Sequence, residues 1–360
     1  METLKQVTSL TRIVSNQKMS MLEIEQDVLL GQYTTLHIGG KAQYFTVAKA
    51  ESDVSEIVTH AKSNSLPVTI LGGGSNVLIS DEGIAGLVVK NEIDGIEWSE
   101  EDGAVSVRAG SGVSFDLLVK DSVERGYWGM ENLSLIPGSV GATPIQNVGA
   151  YGVEVKDLIK SVEAVSLVTG KTRVFSNQEC QFGYRDSFFK TKEGRLFFVT
   201  AVTFLLQTEA EPRITYKDLS AHFAGQNNIT VTEVRDAVVG IRSSKFPDWN
   251  DIGTAGSFFK NPIVEAEQAK LLEEKYPDIP MFDTPAGDVK VSLSWLLDKV
   301  LNLKGVQHGD VGLYEKHVLV LVNHGSATAM AVDKFADFVS EAVEKEVGVR
   351  PEREVTKLGK

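Results

Sequence analysis

LSLIPGSVGATPIQNVGAYG, residues 133–152, is the stretch on which the reading of this chain turns. It holds four glycines and two prolines and no charged side chain. So little side-chain mass cannot build a core, so the use of the stretch is its backbone. Glycine lets a chain approach a ligand closely and adopt left-handed conformations. An uncharged loop rich in free N–H groups suits a large planar cofactor that carries phosphate. A plain glycine-rich connector is the alternative. A second loop of the same character, LGGGSNVL at 71–78, lies upstream. GYRDS at 183–187 and GSFFKNP at 256–262 follow downstream.

Outward from these loops the pattern mixes strands and helices. Residues 33–48 read as a turn and a strand, AQYFTVA. Ser52 precedes Val54, Ile57, Val58 and Ala61, the pattern of an N-capped amphipathic helix. Residues 67–71 and 87–90 read as strands, as does VLIS after the GGGSN turn. GGGSN is therefore not the dinucleotide fingerprint, which needs a helix directly after its glycines. A nest of backbone N–H groups could still hold a pyrophosphate there. Ser114 caps an expected helix through Phe115, Leu118, Val119 and Val123, which Gly126 stops. Strands are expected at 161–168 and 171–176, joined by Thr169-Gly170, and at 196–206. Pro212 marks a change of domain. Beyond it come helices near 231–242, 264–275 and 292–302, and a strand at 317–323. A final helical face follows: Val332, Phe335, Ala336, Val339, Ala342, Val343 and Val347. The fold class is α+β.

The chain has 360 residues, enough for two or three domains, and a net charge of −13. That balance argues against a nucleic-acid or membrane-surface role, and an anionic substrate needs a local basic pocket. The single cysteine, Cys180, excludes an intramolecular disulfide and reads as a core residue, and no metal cluster is seen. No segment approaches the roughly 20 apolar residues of a membrane span. The first twenty residues lack the apolar block of a secretory signal. A cytoplasmic protein is expected.

The four motifs, in this order, resemble the UDP-N-acetylenolpyruvoylglucosamine reductase family, flavoenzymes that make UDP-N-acetylmuramate for bacterial peptidoglycan. The resemblance runs from about residue 33 to residue 359. It implies an FAD-binding half of the vanillyl-alcohol-oxidase (PCMH) type in two subdomains, over 29–95 and 96–211. A separate α+β substrate-binding domain over 212–347 and a C-terminal segment over 348–360 complete the division. Residues 1–28 are expected to be an N-terminal extension without order.

The resemblance implies that FAD lies along both glycine loops. The first supplies Leu71, Gly72, Gly73, Gly74, Ser75, Asn76, Val77 and Leu78. The second supplies Pro137, Gly138, Ser139, Val140, Gly141 and Ala142, then Gln146, Asn147, Gly149, Ala150, Tyr151 and Gly152. His37 and His60 lie outside any attachment loop, so FAD is expected to be non-covalent. NADPH as hydride donor rests on the resemblance alone. The expected partners are this dinucleotide and a UDP-sugar, bound by a monomer.

An enolpyruvyl ether is an acrylate. Its reduction adds hydride to the terminal carbon and a proton to the carbon that bears the carboxylate. The protein must bind that carboxylate, deliver the proton and hold the double bond against the flavin. The resemblance implies Arg185, Ser257 and Glu354 for this work. A guanidinium meets a carboxylate with two parallel hydrogen bonds, although Arg185 could instead pair with Asp186 or another acid. Ser257 is the implied proton donor; a turn or a helix cap is the alternative. Glu354 shares stabilisation of the enolate with Arg185. The family sets this acid in Pro-Glu-Val, whereas this chain reads Arg353-Glu354-Val355. Glu352 is the competing choice; Val355 and the closing Gly359 favour Glu354. Tyr184, Tyr216, Arg242, Lys245, Lys260 and Asn261 match positions near the UDP-sugar. His317 either donates a hydrogen bond to it or caps the strand. The rival readings are an oxidase of alcohols or sugars on the same flavin fold, and a non-catalytic flavin sensor.

Overall fold

The strand Lys41–Ala48 buries Ala42, Phe45, Thr46 and Ala48 and organises the first layer. It pairs antiparallel with Glu25–Leu29 and parallel with Ile84–Asn91, which pairs parallel with Val68–Leu71. Parallel pairing needs a crossover, and helix Glu51–Ser63 supplies it, with Val54, Ile57, Val58 and Ala61 buried. These elements belong to a computed structural model that describes residues 22–101, 104–284 and 286–360. The first helix is capped differently from expectation. Asp53 reaches back and accepts from the Ala50 N–H at 3.0 Å, so Ala50, not Ser52, is the N-cap. The expected extension over 1–28 is also corrected at its end. Residues 25–28 are strand, and Leu22 and Ile24 pack against the first core, which anchors them. The rest of that expectation, over 1–21, lies outside the described residues.

The second layer is a five-stranded antiparallel sheet. Its order is Thr172–Ser176, Ile159–Ser166, Phe197–Gln207, Ala104–Gly110, Ile96–Glu101. Phe197–Gln207 lies at its centre, nearly continuously buried, as an apolar run of that length requires. Helix Phe115–Glu124 buries Phe115, Leu118, Val119 and Val123. Ser114 stands at its N-cap, but the hydroxyl makes no capping bond. The Phe115 N–H instead donates to the Gly138 carbonyl at 3.0 Å, which stitches the helix start to the glycine loop.

The C-terminal part has its own core. A four-stranded sheet, ordered Gly253–Ser257, Val320–Asn323, Val311–Leu313, Gln307–His308, packs with helix Ala329–Val347 through Val332, Phe335, Ala336, Val339 and Val343. Helix Ala266–Lys275 and a small sheet of Ile263–Val264, Val289–Val291 and Met281–Asp283 extend it. The helix expected at 292–302 is a single turn, Leu293–Trp295, that widens into a π-helix at Leu296–Val300. Helices Lys217–His222 and Val231–Lys245 bury Leu219, Phe223, Val234 and Val238 with Val123 and Trp128 instead of with the C-terminal core. None of the helices in the described residues is long and apolar enough to cross a membrane.

The C-terminal segment returns to the first glycine loop. Strand Thr356–Leu358 pairs parallel with Val77–Ile79, the strand directly after GGGSN. That pairing carries Glu354 to the first glycine loop.

Candidate active site

The two glycine loops touch each other. A Cβ built on Gly73 would stand 2.6 Å from the Gly138 Cα, and one on Gly72 would stand 2.7 Å from the Ser139 Oγ. Only glycine allows so close an approach. The Ser75 hydroxyl donates to the Pro137 carbonyl at 3.1 Å, and the Lys90 ammonium donates to the Gly72 carbonyl at 2.6 Å. The backbone N–H groups of Gly72, Gly73, Gly74, Ser75 and Asn76 make no hydrogen bond to other described residues. The Ser139 hydroxyl is buried with no partner. Unpaired N–H groups beside an orphaned buried hydroxyl form a nest for an acceptor-rich anion, so these residues fit a diphosphate-bearing flavin. Gly73→Ala should push the loops apart: the purified variant should contain far less flavin than wild type. Equal flavin content in the two proteins would show that the close approach is not needed.

Not every residue expected at the cofactor offers its side chain. Leu71, Leu78 and Val140 are core residues, and Val77 lies in the strand that pairs with Thr356–Leu358. Asn147 is left-handed and wholly buried, and its amide is spent on the Gly183 carbonyl at 2.8 Å and on Glu154 at 3.2 Å. These residues shape the loops through their backbone and packing.

Arg185 and Glu354 meet along the seam between the second glycine loop and the C-terminal core, and Ser257 lies on the stretch of chain that Glu354 bonds to. Arg185 Nε lies 3.1 Å from Glu354 Oε1, and Gln146 Nε2 donates to that same oxygen at 2.9 Å. Arg185 Nη2 donates to the Gly149 carbonyl at 2.8 Å. Glu354 is fixed through its main chain: its N–H donates to the Phe258 carbonyl at 2.8 Å, and its carbonyl accepts from Asn76 Nδ2 at 3.3 Å. Phe258 follows Ser257, so the serine and the acid are held on adjacent stretches of chain. Ser257 lies at a register irregularity after Gly256, itself left-handed at φ 71°. Among the described residues its hydroxyl has no hydrogen-bond partner. Glu352, by contrast, is 75% exposed and pairs with Lys260 at 2.9 Å, whereas Glu354 is 16% exposed.

Tyr184 stands beside this pair, with the Lys290 ammonium 5.1 Å from its ring centre. Burial raises its phenol pKa, and Asn261 hydrogen-bonds it. Asn261 Oδ1 also accepts from the Leu293 N–H at 3.0 Å. Lys190 and Lys290 were not foreseen from the sequence. Lys190 directly extends the GYRDS motif, in GYRDSFFK, which was the available signal.

The remaining expected contacts form a second group. The Tyr151 and Tyr216 rings meet edge-on at 5.3 Å. Burial pushes the Tyr151 phenol up to about 12 despite Arg242 nearby. Arg242 donates to the Leu135 carbonyl at 3.2 Å and lies over the Phe246 ring, and burial lowers its pKa. Lys245 pairs with Asp218 at 2.6 Å. His317 packs against Phe246, and its Nδ1 accepts from the Leu319 N–H at 3.3 Å, which ties down the approach to the strand and leaves Nε2–H to donate. Burial, then the charges of Lys245 and Arg242, hold its pKa down to about 4. A lowered folded pKa means that the unfolded chain binds more protons between pH 6.5 and 4, so His317 costs stability as pH falls through that window. The melting temperature should drop less over that window in His317→Gln than in wild type. Parallel curves for the two proteins would contradict this.

The chain is similar to known proteins over both of its halves. Residues 42–176 match the FAD binding domain family, and residues 247–358 match the C-terminal domain family of UDP-N-acetylenolpyruvoylglucosamine reductase. A UDP-N-acetylenolpyruvoylglucosamine reductase of Chromobacterium violaceum is 42% identical over 92% of this chain and 98% of its own. That of Bdellovibrio bacteriovorus is 43% identical over 92% and 99%, and that of Escherichia coli O157:H7 is 40% identical over 92% and 95%. The crystal structure of a UDP-N-acetylenolpyruvylglucosamine reductase from Thermus caldophilus has the same fold. Its TM-score is 0.67 at 24% identity, covering 94% of this chain and all of the other.

Proposed function

Because the chain belongs to the UDP-N-acetylenolpyruvoylglucosamine reductase family, we propose that it reduces the enolpyruvyl ether of UDP-N-acetylglucosamine to UDP-N-acetylmuramate, a peptidoglycan precursor, with NADPH as donor. It is an FAD-dependent oxidoreductase. The observation that carries the reading is the Arg185–Glu354 contact at 3.1 Å, fastened by Gln146 to the glycine loop.

FAD, once bound and reduced by NADPH, would supply hydride to the terminal carbon of the substrate. The nest at Gly72–Asn76 with Ser139 would hold its diphosphate non-covalently. Arg185 spends Nε on Glu354 and an Nη2 hydrogen on Gly149, which leaves further guanidinium N–H groups for the substrate carboxylate. As hydride arrives, negative charge grows on that carboxylate, and Arg185 with Glu354 stabilises it. The Ser257 hydroxyl delivers its proton to the carbon that bears the carboxylate. Arg185 and Lys260 make this corner basic in a chain of net charge −13. Arg242, Lys245 and His317, with Tyr216 half-exposed above them, would take the UDP moiety. In this division residues 29–211 hold the cofactor, 212–347 the substrate, and 348–360 bring Glu354. The enzyme acts as a cytoplasmic monomer.

The test is product chemistry. In deuterated buffer the protein should consume NADPH and enolpyruvyl substrate in equal amounts and leave deuterium on the carbon bearing the carboxylate. NADPH oxidation that yields only hydrogen peroxide would contradict the reading.

A further inference from the structure

Arg185 sits in an unfavourable backbone conformation. Its φ is 53°, in the left-handed region. Gly183 and Asp186 exchange hydrogen bonds across the turn, Gly183 N–H to Asp186 carbonyl at 2.9 Å and the reverse at 3.3 Å, so Tyr184 and Arg185 are its corner residues. Such a corner is the usual place of glycine or asparagine, and a long side chain there is strained.

Asn147 holds the Gly183 carbonyl at the start of the turn, and a different side chain holds the carbonyl of Arg185 itself. The Lys190 ammonium donates to the Arg185 carbonyl at 2.6 Å, and it pairs with no carboxylate among the described residues. A partly buried cation spent on a backbone oxygen is costly unless the bond does something. The lysine itself is rigidly mounted. Ser187 accepts from the Phe189 N–H at 3.2 Å and donates to the Ile145 carbonyl at 2.9 Å. The Phe188 and Phe189 rings pack on Phe175, and Arg195 Nε holds the Lys190 carbonyl at 3.0 Å.

We propose that Lys190 is a positioning residue that latches the Arg185 carbonyl, keeping Arg185 in the left-handed corner from which its guanidinium reaches Glu354 and Gly149. Without the latch the corner relaxes to negative φ, and the guanidinium leaves both partners. The inference rests on the reading of Arg185 as the group that binds the substrate carboxylate.

The test uses the full-length, flavin-loaded protein labelled with ¹⁵N-arginine, with the Arg185 Nε–H signal assigned by its loss in Arg185→Lys. In Lys190→Met that proton should exchange with water about tenfold faster or more, and Lys190→Arg, which keeps a donor, should restore its protection. Flavin reoxidation by the enolpyruvyl UDP-sugar should slow at least about tenfold in Lys190→Met, with flavin reduction by NADPH unchanged. In an Arg185→Ala background, Lys190→Met should add less than about twofold. Unchanged Nε–H exchange would overturn the proposal, as would full slowing by Lys190→Met in the Arg185→Ala background. If the wild-type flavin is never reoxidised by the substrate, the reading of the reaction fails, while the exchange measurement still decides the role of Lys190.

Discussion

Replacing Ser257 by alanine should leave flavin reduction by NADPH at its wild-type rate and slow flavin reoxidation by the enolpyruvyl substrate on the order of 10²-fold or more. The two half-reactions differ in one respect that matters here: only the second needs a proton on carbon. A serine hydroxyl is a weak acid, so its use as a donor requires that it be uncommitted and close to a strongly basic carbon. The structure supplies the first condition, a hydroxyl with no partner among the described residues. Being half-buried and without a hydrogen bond, it contributes little to stability, so the variant should fold and keep its flavin. Reoxidation at the wild-type rate in Ser257→Ala would reduce Ser257 to a turn residue after Gly256.

The second large effect falls on the ion pair. Arg185→Ala should slow reoxidation roughly 10²- to 10³-fold, the scale of losing a donor aimed at developing charge. It also leaves Glu354 with Gln146 Nε2 as its remaining side-chain donor. The stability cost should be about 2 kcal/mol, below that of breaking a fully buried pair because water still reaches both side chains. Glu354→Gln should likewise slow reoxidation far more than reduction. Glu352→Gln should change neither, because Glu352 is an exposed partner of Lys260. Stopped-flow absorbance of the flavin checks all three variants. If Glu352→Gln were the damaging substitution, the assignment of the acid to Glu354 would be wrong.

Much of this was legible in the sequence, and the exceptions have physical causes. The loops at 71–78 and 133–152 stand out because they lack side chains, and a missing side chain is a local signal. The hairpin between Ile159–Ser166 and Thr172–Ser176 announces itself through Thr169-Gly170. The strands Ile96–Glu101 and Ala104–Gly110 were missed: IEWSEE ends in glutamates, which weaken an apolar run, yet the segment finds a place at the sheet edge. The sequence points to Ser52 as the cap of the first helix because a hydroxyl is a common N-cap, whereas Asp53 closes a capping box with the Ala50 backbone. What no local pattern carries is the meeting of distant pieces. Strand pairing between Thr356–Leu358 and Val77–Ile79 joins the C-terminal segment to the strand after the first glycine loop. Just before it, a bridge between Arg353 and Phe259 aligns 352–354 on 258–260, where Glu354 meets Arg185 and Glu352 meets Lys260, although the two acids are alike and two residues apart. The Lys190 latch was missed for a related reason: its partner is a backbone carbonyl, which no residue type advertises.

The most direct test of the account is an anaerobic double-mixing experiment on the wild-type protein. NADPH should bleach the bound flavin, and removal of excess NADPH should leave it bleached. Addition of the enolpyruvyl UDP-sugar should then restore the yellow colour within the turnover time and yield UDP-N-acetylmuramate. A flavin that stays bleached with this substrate and recolours only on admitting oxygen would contradict the account.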